Sequence, residues 1–182
     1  MASRLPELVG APLSINALRE DLQVAHQTVA RWLLGLERSS GFFRLSPLGA
    51  PKLKAVKKEQ KHYHFDWSVV PDKGARFENL LAVHLLKWCQ FQEDSIGTDI
   101  ELRYFRDING REVDFIVTID KKPVLAIEAK YDQSEIAPHL KYFKSKYPNC
   151  EAIQLVAIEN REYVSAEGIK VMWAPKYLRI LI

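Results

Sequence analysis

Cysteine is scarce in this chain, with only Cys89 and Cys150 among 182 residues. One sits inside an apolar helical pattern and the other just before an apolar run. Both therefore read as free, buried thiols rather than as a disulfide or a metal pair. Long apolar runs are missing as well: no stretch reaches the roughly 18 residues that a membrane span needs. No charged-then-apolar leader opens the sequence, so a soluble, cytoplasmic protein with no membrane partner is expected. The G-x-x-x-x-G-K-[ST] phosphate loop is absent, so ATP hydrolysis has no carrier here. A nucleophile elbow is absent too, which leaves Ser-His-Asp catalysis unsupported. An excess of one charge is nearly lacking: the net charge is +3, weak grounds by itself for a nucleic-acid partner.

What is present begins with a hydrophobic content of 47%, enough for real cores and inconsistent with disorder. The length suits one ordinary domain or two small ones. Composition and breakers divide the chain into residues 1–66, a joint at 67–73 containing Pro71, and residues 74–182. In the first part Ser14 can cap a short helix to Leu22. A second helix carries Val29, Trp32, Leu33 and Leu36 inward and leaves His26, Gln27 and Arg31 outward. A strand at Phe42–Leu45 and a lysine-rich return to Tyr63–Phe65 complete the pattern of a small winged helix-turn-helix domain. In that pattern His26, Gln27 and Arg31 would enter a DNA groove, and Lys52, Lys54, Lys57, Lys58 and Lys61 would form a basic wing. The alternative is a packing module whose lysines are a solvated face. His62 and His64 alternate on the strand pattern, but no third metal ligand lies near them in sequence.

The second part opens with the strongest helix of the chain, over 74–93. Phe77, Leu80, Leu81, His84, Leu85 and Trp88 give it a wide apolar stripe, and Glu78 sits in its first turn. Strands follow at Ile100–Arg106, Glu112–Ile119 and Pro123–Lys130, then a helix from about Ser134 to Tyr147. A continuous apolar run at Ala152–Ile158 reads as a strand covered on both faces. Three charges, Asp114, Glu128 and Lys130, lie inside otherwise buried runs, where charge is costly unless paired or bound to metal. Glu128 and Lys130 share a face at ~3.3 Å rise per residue. Asp114 is out of phase with Val113, Phe115 and Val117, so alternation places it on the face of Glu128 if the two runs form a hairpin.

The order helix, three strands, helix, strand, with Asp114 on the second strand and Glu128-Ala129-Lys130 on the third, resembles the PD-(D/E)XK nuclease superfamily. Glu78 is the candidate carboxylate of the first helix. The resemblance implies an α/β fold with a restriction-endonuclease-like mixed sheet (α-β-β-β-α-β). It departs from the pattern at Val113, where proline is usual, and at Ala129, where a larger apolar residue is usual. A wider resemblance rests on G-A-R-F-E-N at 74–79, L-R-Y-F-R-D at 102–107, N-G-R-E-V-D-F at 109–115 and the I-E-A-K end. These are similar to the C-terminal half of a family of bacterial and archaeal AAA-type ATPases, catalogued as a domain of unknown function (the 4143 family). T-V-A-R-W-L-L-G-L-E at 28–37 and K-H-Y-H-F-D at 61–66 resemble its winged-helix part. An ATPase domain normally comes first in that family, so the chain is expected to be a truncated relative or an excised C-terminal region, with such a domain as a partner.

The chemistry these residues support is metal-assisted hydrolysis of DNA phosphodiesters. Asp114, Glu128 and the Ala129 carbonyl would hold Mg²⁺ or Mn²⁺, Lys130 would orient water or stabilise charge on phosphorus, and Glu78 would complete the metal's water shell. The competing expectation is a non-catalytic module serving an ATPase, with Lys130 paired to Asp114 and Glu128 in a closed ion-pair network.

Overall fold

The computed structural model describes residues 3–49, 60–132, 135–159 and 161–181. Its organising element is the long helix α3, Lys73–Ile96. The Asp72 carboxylate accepts the Ala75 N–H at 2.8 Å at the start. Gly97 closes the other end in the left-handed region at φ 72°, its N–H donating to Glu93 O at 2.8 Å. That cap pair sets the helix length, because Gly tolerates positive φ without a Cβ clash.

Strands β3 (Ile100–Arg106), β4 (Glu112–Ile119) and β5 (Lys122–Lys130) form an antiparallel meander. Gly110 at φ 76° turns the first hairpin, and Asp120 and Lys121, both at positive φ, turn the second. Helix α4 (Pro138–Lys146) then crosses to β6 (Glu151–Val156), which runs parallel to β5. The short β7 (Tyr163–Val164) and β8 (Ile169–Trp173) complete a six-stranded mixed sheet of order β3-β4-β5-β6-β8-β7. Helix α5 (Ala174–Leu178) closes the described chain together with a final 3-10 turn. The expected α4 start at Ser134 is later in the structure, at Pro138. The reason is local: the Ala137 N–H is taken by the buried Gln154 side chain at 2.9 Å, and proline then supplies the first helical φ.

The sheet is covered on both faces. Leu81, Leu85 and Cys89 of α3 pack with Phe115, Val117, Ile127, Ile153 and Leu155. Leu140 and Phe143 of α4 pack with Val113, Ile116, Ala126, Ala152 and Val156 on the other side. Both cysteines are free and buried. Among the described residues, no helix is long and apolar enough to cross a membrane.

The N-terminal part comprises α1 (Ile15–Leu22), α2 (His26–Arg38) and a two-stranded antiparallel sheet of β1 (Phe42–Leu45) and β2 (Lys61–His64). Ser14 caps α1, accepting the Ala17 N–H at 3.2 Å. The small sheet is sandwiched. Phe42 joins Leu18, Val29 and Leu33 on the helical side, while Phe43, Leu45 and Tyr63 join the α3 core. Trp32, expected inward, is 45% exposed. The Phe42 ring already packs against Val29 and Leu33 in this small core, and Trp32 lies about 100° round the helix from Leu33. His26, Gln27 and Arg31 are exposed on α2. Lys52, Lys54, Lys57 and Lys58 lie outside the described residues.

Candidate metal and carboxylate site

The site begins with an irregularity in β4. Opposite Arg103 and Phe105 of β3 stand Ile116 and Val113 of β4, so three steps on β4 match two on β3. The extra residue is a β-bulge, a device that re-aims a side chain next to a site. Its effect is visible in packing: Val113 and Ile116 fall in the α4-side core while Phe115 falls in the α3-side core. Simple alternation therefore does not aim Asp114, contrary to the sequence expectation; the bulge does. The described β4–β5 pairing ends at Phe115↔Ile127 on this side. Beyond it Asp114 Oδ2 accepts the Ala129 N–H at 2.9 Å, standing in for the missing strand partner.

Glu128 is 4% exposed. Its Oε1 receives the Lys130 ammonium at 2.8 Å, and its Oε2 is buried with no hydrogen-bond partner. Burial, and then the charge of Asp114, push the Glu128 carboxyl up to about 8 despite Lys130. Glu78 on α3 is pushed up to about 7, again by burial first and Asp114 second, with Lys61 and Tyr63 pulling back. Asp114, Glu128, Lys130 and Glu78 lie close enough to act on one another's charge. The pairing differs: Lys130 is ion-paired with Glu128, and a different lysine reaches Asp114.

That lysine is Lys61, and its place in a basic wing is corrected by the structure. Lys61 is 1% exposed, so it cannot offer its charge to DNA on the surface. Its Nζ lies 2.6 Å from Glu112 Oε1, 3.5 Å from Glu78 Oε1 and 3.7 Å from Asp114 Oδ1. Burial alone would lower its pKa, but Glu78, Asp114 and Glu112 outweigh this and raise it. The strand explains the placement: alternation along β2 sends Lys61 and Tyr63 toward α3, and His62 and His64 toward the helices. Tyr63 donates its O–H to Glu78 Oε1 at 2.7 Å. Gly10, at φ 77°, lies so close that a Cβ there would meet both Glu78 carboxylate oxygens at 3.0 Å. Asn79, fully buried, donates to His64 O at 2.6 Å and accepts the His64 N–H at 2.8 Å.

Sequence reasoning missed Glu112, Tyr63, Asn79 and the role of Lys61. The signal that could have found two of them is the K-x-Y spacing of β2, which puts Lys61 and Tyr63 on one face.

The donor set suits a hard divalent cation: carboxylate oxygens, one of them buried and unpartnered. Among the described residues, no three His, Cys, Asp or Glu side chains are already gathered as a cage for one ion. Mg²⁺ does not require one, since it keeps several waters and takes one or two carboxylates.

The raised acids make a pH prediction. A carboxyl whose folded pKa exceeds its unfolded value holds a proton that the unfolded chain has released, so stability falls as pH rises through that interval. His62, pushed down to about 4 by burial, and His64 and His84, also lowered by burial, act oppositely below about pH 6.5. Stability in chelator should therefore fall by about 2 kcal/mol between pH 6.5 and pH 8.5, where the two acids dominate. Glu128→Gln should flatten that fall in urea denaturation. An unchanged slope would show that Glu128 ionises normally.

A family model described as a domain of unknown function (DUF4143) matches residues 73–177. A second, also described as a domain of unknown function (DUF8612), matches residues 2–72. No curated protein and no solved structure matches the chain.

Proposed function

Because the chain belongs to the DUF4143 family, a domain of unknown function, we propose its chemistry from the site itself: a divalent-cation centre, Mg²⁺ or Mn²⁺, for phosphodiester hydrolysis in DNA. The observation that supports this most is Glu128 Oε2, buried without a partner beside Asp114 where β4 and β5 part. The finer fold reading is restriction-endonuclease-like, supported by the element order α3-β3-β4-β5-α4-β6.

Asp114, Glu128 Oε2 and the Ala129 carbonyl are the groups that would hold the ion. When bound, it supplies Lewis-acid polarisation of the phosphate and a more acidic water. Lys130, half-buried and anchored on Glu128 Oε1, would orient the attacking water or stabilise negative charge on phosphorus. Glu78, fixed by the Tyr63 hydroxyl, would accept hydrogen bonds from water in the site. A winged-helix reading of the N-terminal part, with His26, Gln27 and Arg31 of α2 toward the duplex, would supply DNA affinity. A second reading, a non-catalytic module serving an ATPase, is favoured by one observation: the Lys61 ammonium already sits among Glu78, Glu112 and Asp114.

Calorimetric titration with Mn²⁺ separates the two. Asp114→Asn keeps the side-chain shape and removes its charge, so affinity should drop at least tenfold with an unchanged circular dichroism spectrum. Lys130→Ala should retain Mn²⁺ and lose cleavage across duplex, single-stranded and branched DNA. Equal Mn²⁺ affinity in wild type and Asp114→Asn, or no cleavage of any of the three, leaves the non-catalytic reading.

A further inference from the structure

Lys61 occupies a cation's position and comes from a different part of the chain than the acids it serves. Four carboxylates, Glu78, Glu112, Asp114 and Glu128, face two ammoniums, Lys61 and Lys130, with Arg106 3.4 Å from Glu112 on the exposed side. Lys130 is ion-paired with Glu128, whereas Lys61 is shared by the other three. Four carboxylates thus converge on two buried or half-buried ammoniums, and Glu128 Oε2 is left without a hydrogen-bond partner.

Lys61 is also not free to leave. Its backbone pairs with Leu45 in the small sheet and bridges to Pro12. Its ammonium lies 5.4 Å from the centre of the Tyr104 ring. The Asn79 amide ties the far end of the same strand to α3.

Sites that cleave phosphodiesters commonly use two metal ions, one on each side of the phosphorus. We infer that Lys61 is the permanent second cation of this centre, so that the site takes up a single divalent ion and the N-terminal part completes it. This rests on the divalent-cation reading above. It also separates Lys61 from Lys130: the first neutralises the acids from a fixed strand, the second stands beside the reacting groups.

The test is the Mn²⁺ stoichiometry, by calorimetry near pH 8, of wild type, Lys61→Met and Lys61→Arg, together with the Mn²⁺-induced rise in unfolding temperature. Wild type and Lys61→Arg should bind one ion. Lys61→Met should bind two, with a thermal shift at least double that of wild type. Two ions in wild type, or one ion in Lys61→Met with an unchanged thermal shift, overturns the inference and leaves the divalent-cation reading standing. No uptake by wild type overturns both. If Lys61→Met does not fold in chelator, it is refolded in Mn²⁺. Recovery of the native spectrum with two bound ions supports the inference, and failure to recover while Lys61→Arg folds overturns it.

Discussion

Lys61→Met should cost about 3–5 kcal/mol of folding stability at pH 8 in chelator, the range for removing one member of a buried charge cluster. The methionine fills similar space and keeps the contact with the Tyr104 ring, so most of the loss is electrostatic. Glu78, Glu112 and Asp114 would lose their shared ammonium. The loss should be smaller at pH 5.5. There the acids already inclined to protonate, Glu78 at about 7 and Glu128 at about 8, take up protons in the folded state. Urea denaturation of both proteins at both pH values measures the difference, and the histidines cancel because they are common to the pair. An equal loss at the two pH values would assign the effect to packing.

Asn79→Ala should cost about 2–4 kcal/mol, through two unpaired buried backbone groups and the space left by the amide. Asn79 does for His64 what a neighbouring strand would do, exchanging two hydrogen bonds with one residue. Without it, β2 has the β1 ladder but no amide tie to α3. Hydrogen exchange at the His64 N–H should accelerate along with the lower denaturation midpoint. A stability within about 0.5 kcal/mol of wild type would mean that water replaces the amide.

The regular elements were legible because their signals are local. The strands at Phe42–Leu45, Ile100–Arg106 and Glu112–Ile119 fall where period and turn residues put them, and the Ser14 cap acts as its position suggests. Asp114, Glu128 and Lys130 were legible as a group because charge inside an apolar run is expensive, and Glu78 was singled out as the first-helix carboxylate through the resemblance. The aim of Asp114 was not, because a bulge depends on the partner strand's register and breaks the alternation that sequence reasoning uses. Lys61 was misread because it closes a lysine-rich segment of the sequence, while its neighbours in space are acids. A run of basic residues looks like one surface until the fold assigns each member a direction. Trp32 failed for the opposite reason: an apolar residue at helical spacing says nothing about how much core there is to receive it.

The seam between the two matched regions falls between residues 72 and 73, yet Lys61 and Tyr63 lie on one side of it and Glu78, Glu112 and Asp114 on the other. A genetic exchange at that seam would deliver acids without their lysine, or a buried lysine without its acids. Each half would inherit a charge that only the other half can neutralise. In descendants of this chain the two regions are therefore bound to travel as a pair. Where Lys61 drifts to a neutral residue, loss of a carboxyl at 78, 112 or 114 should be found alongside it.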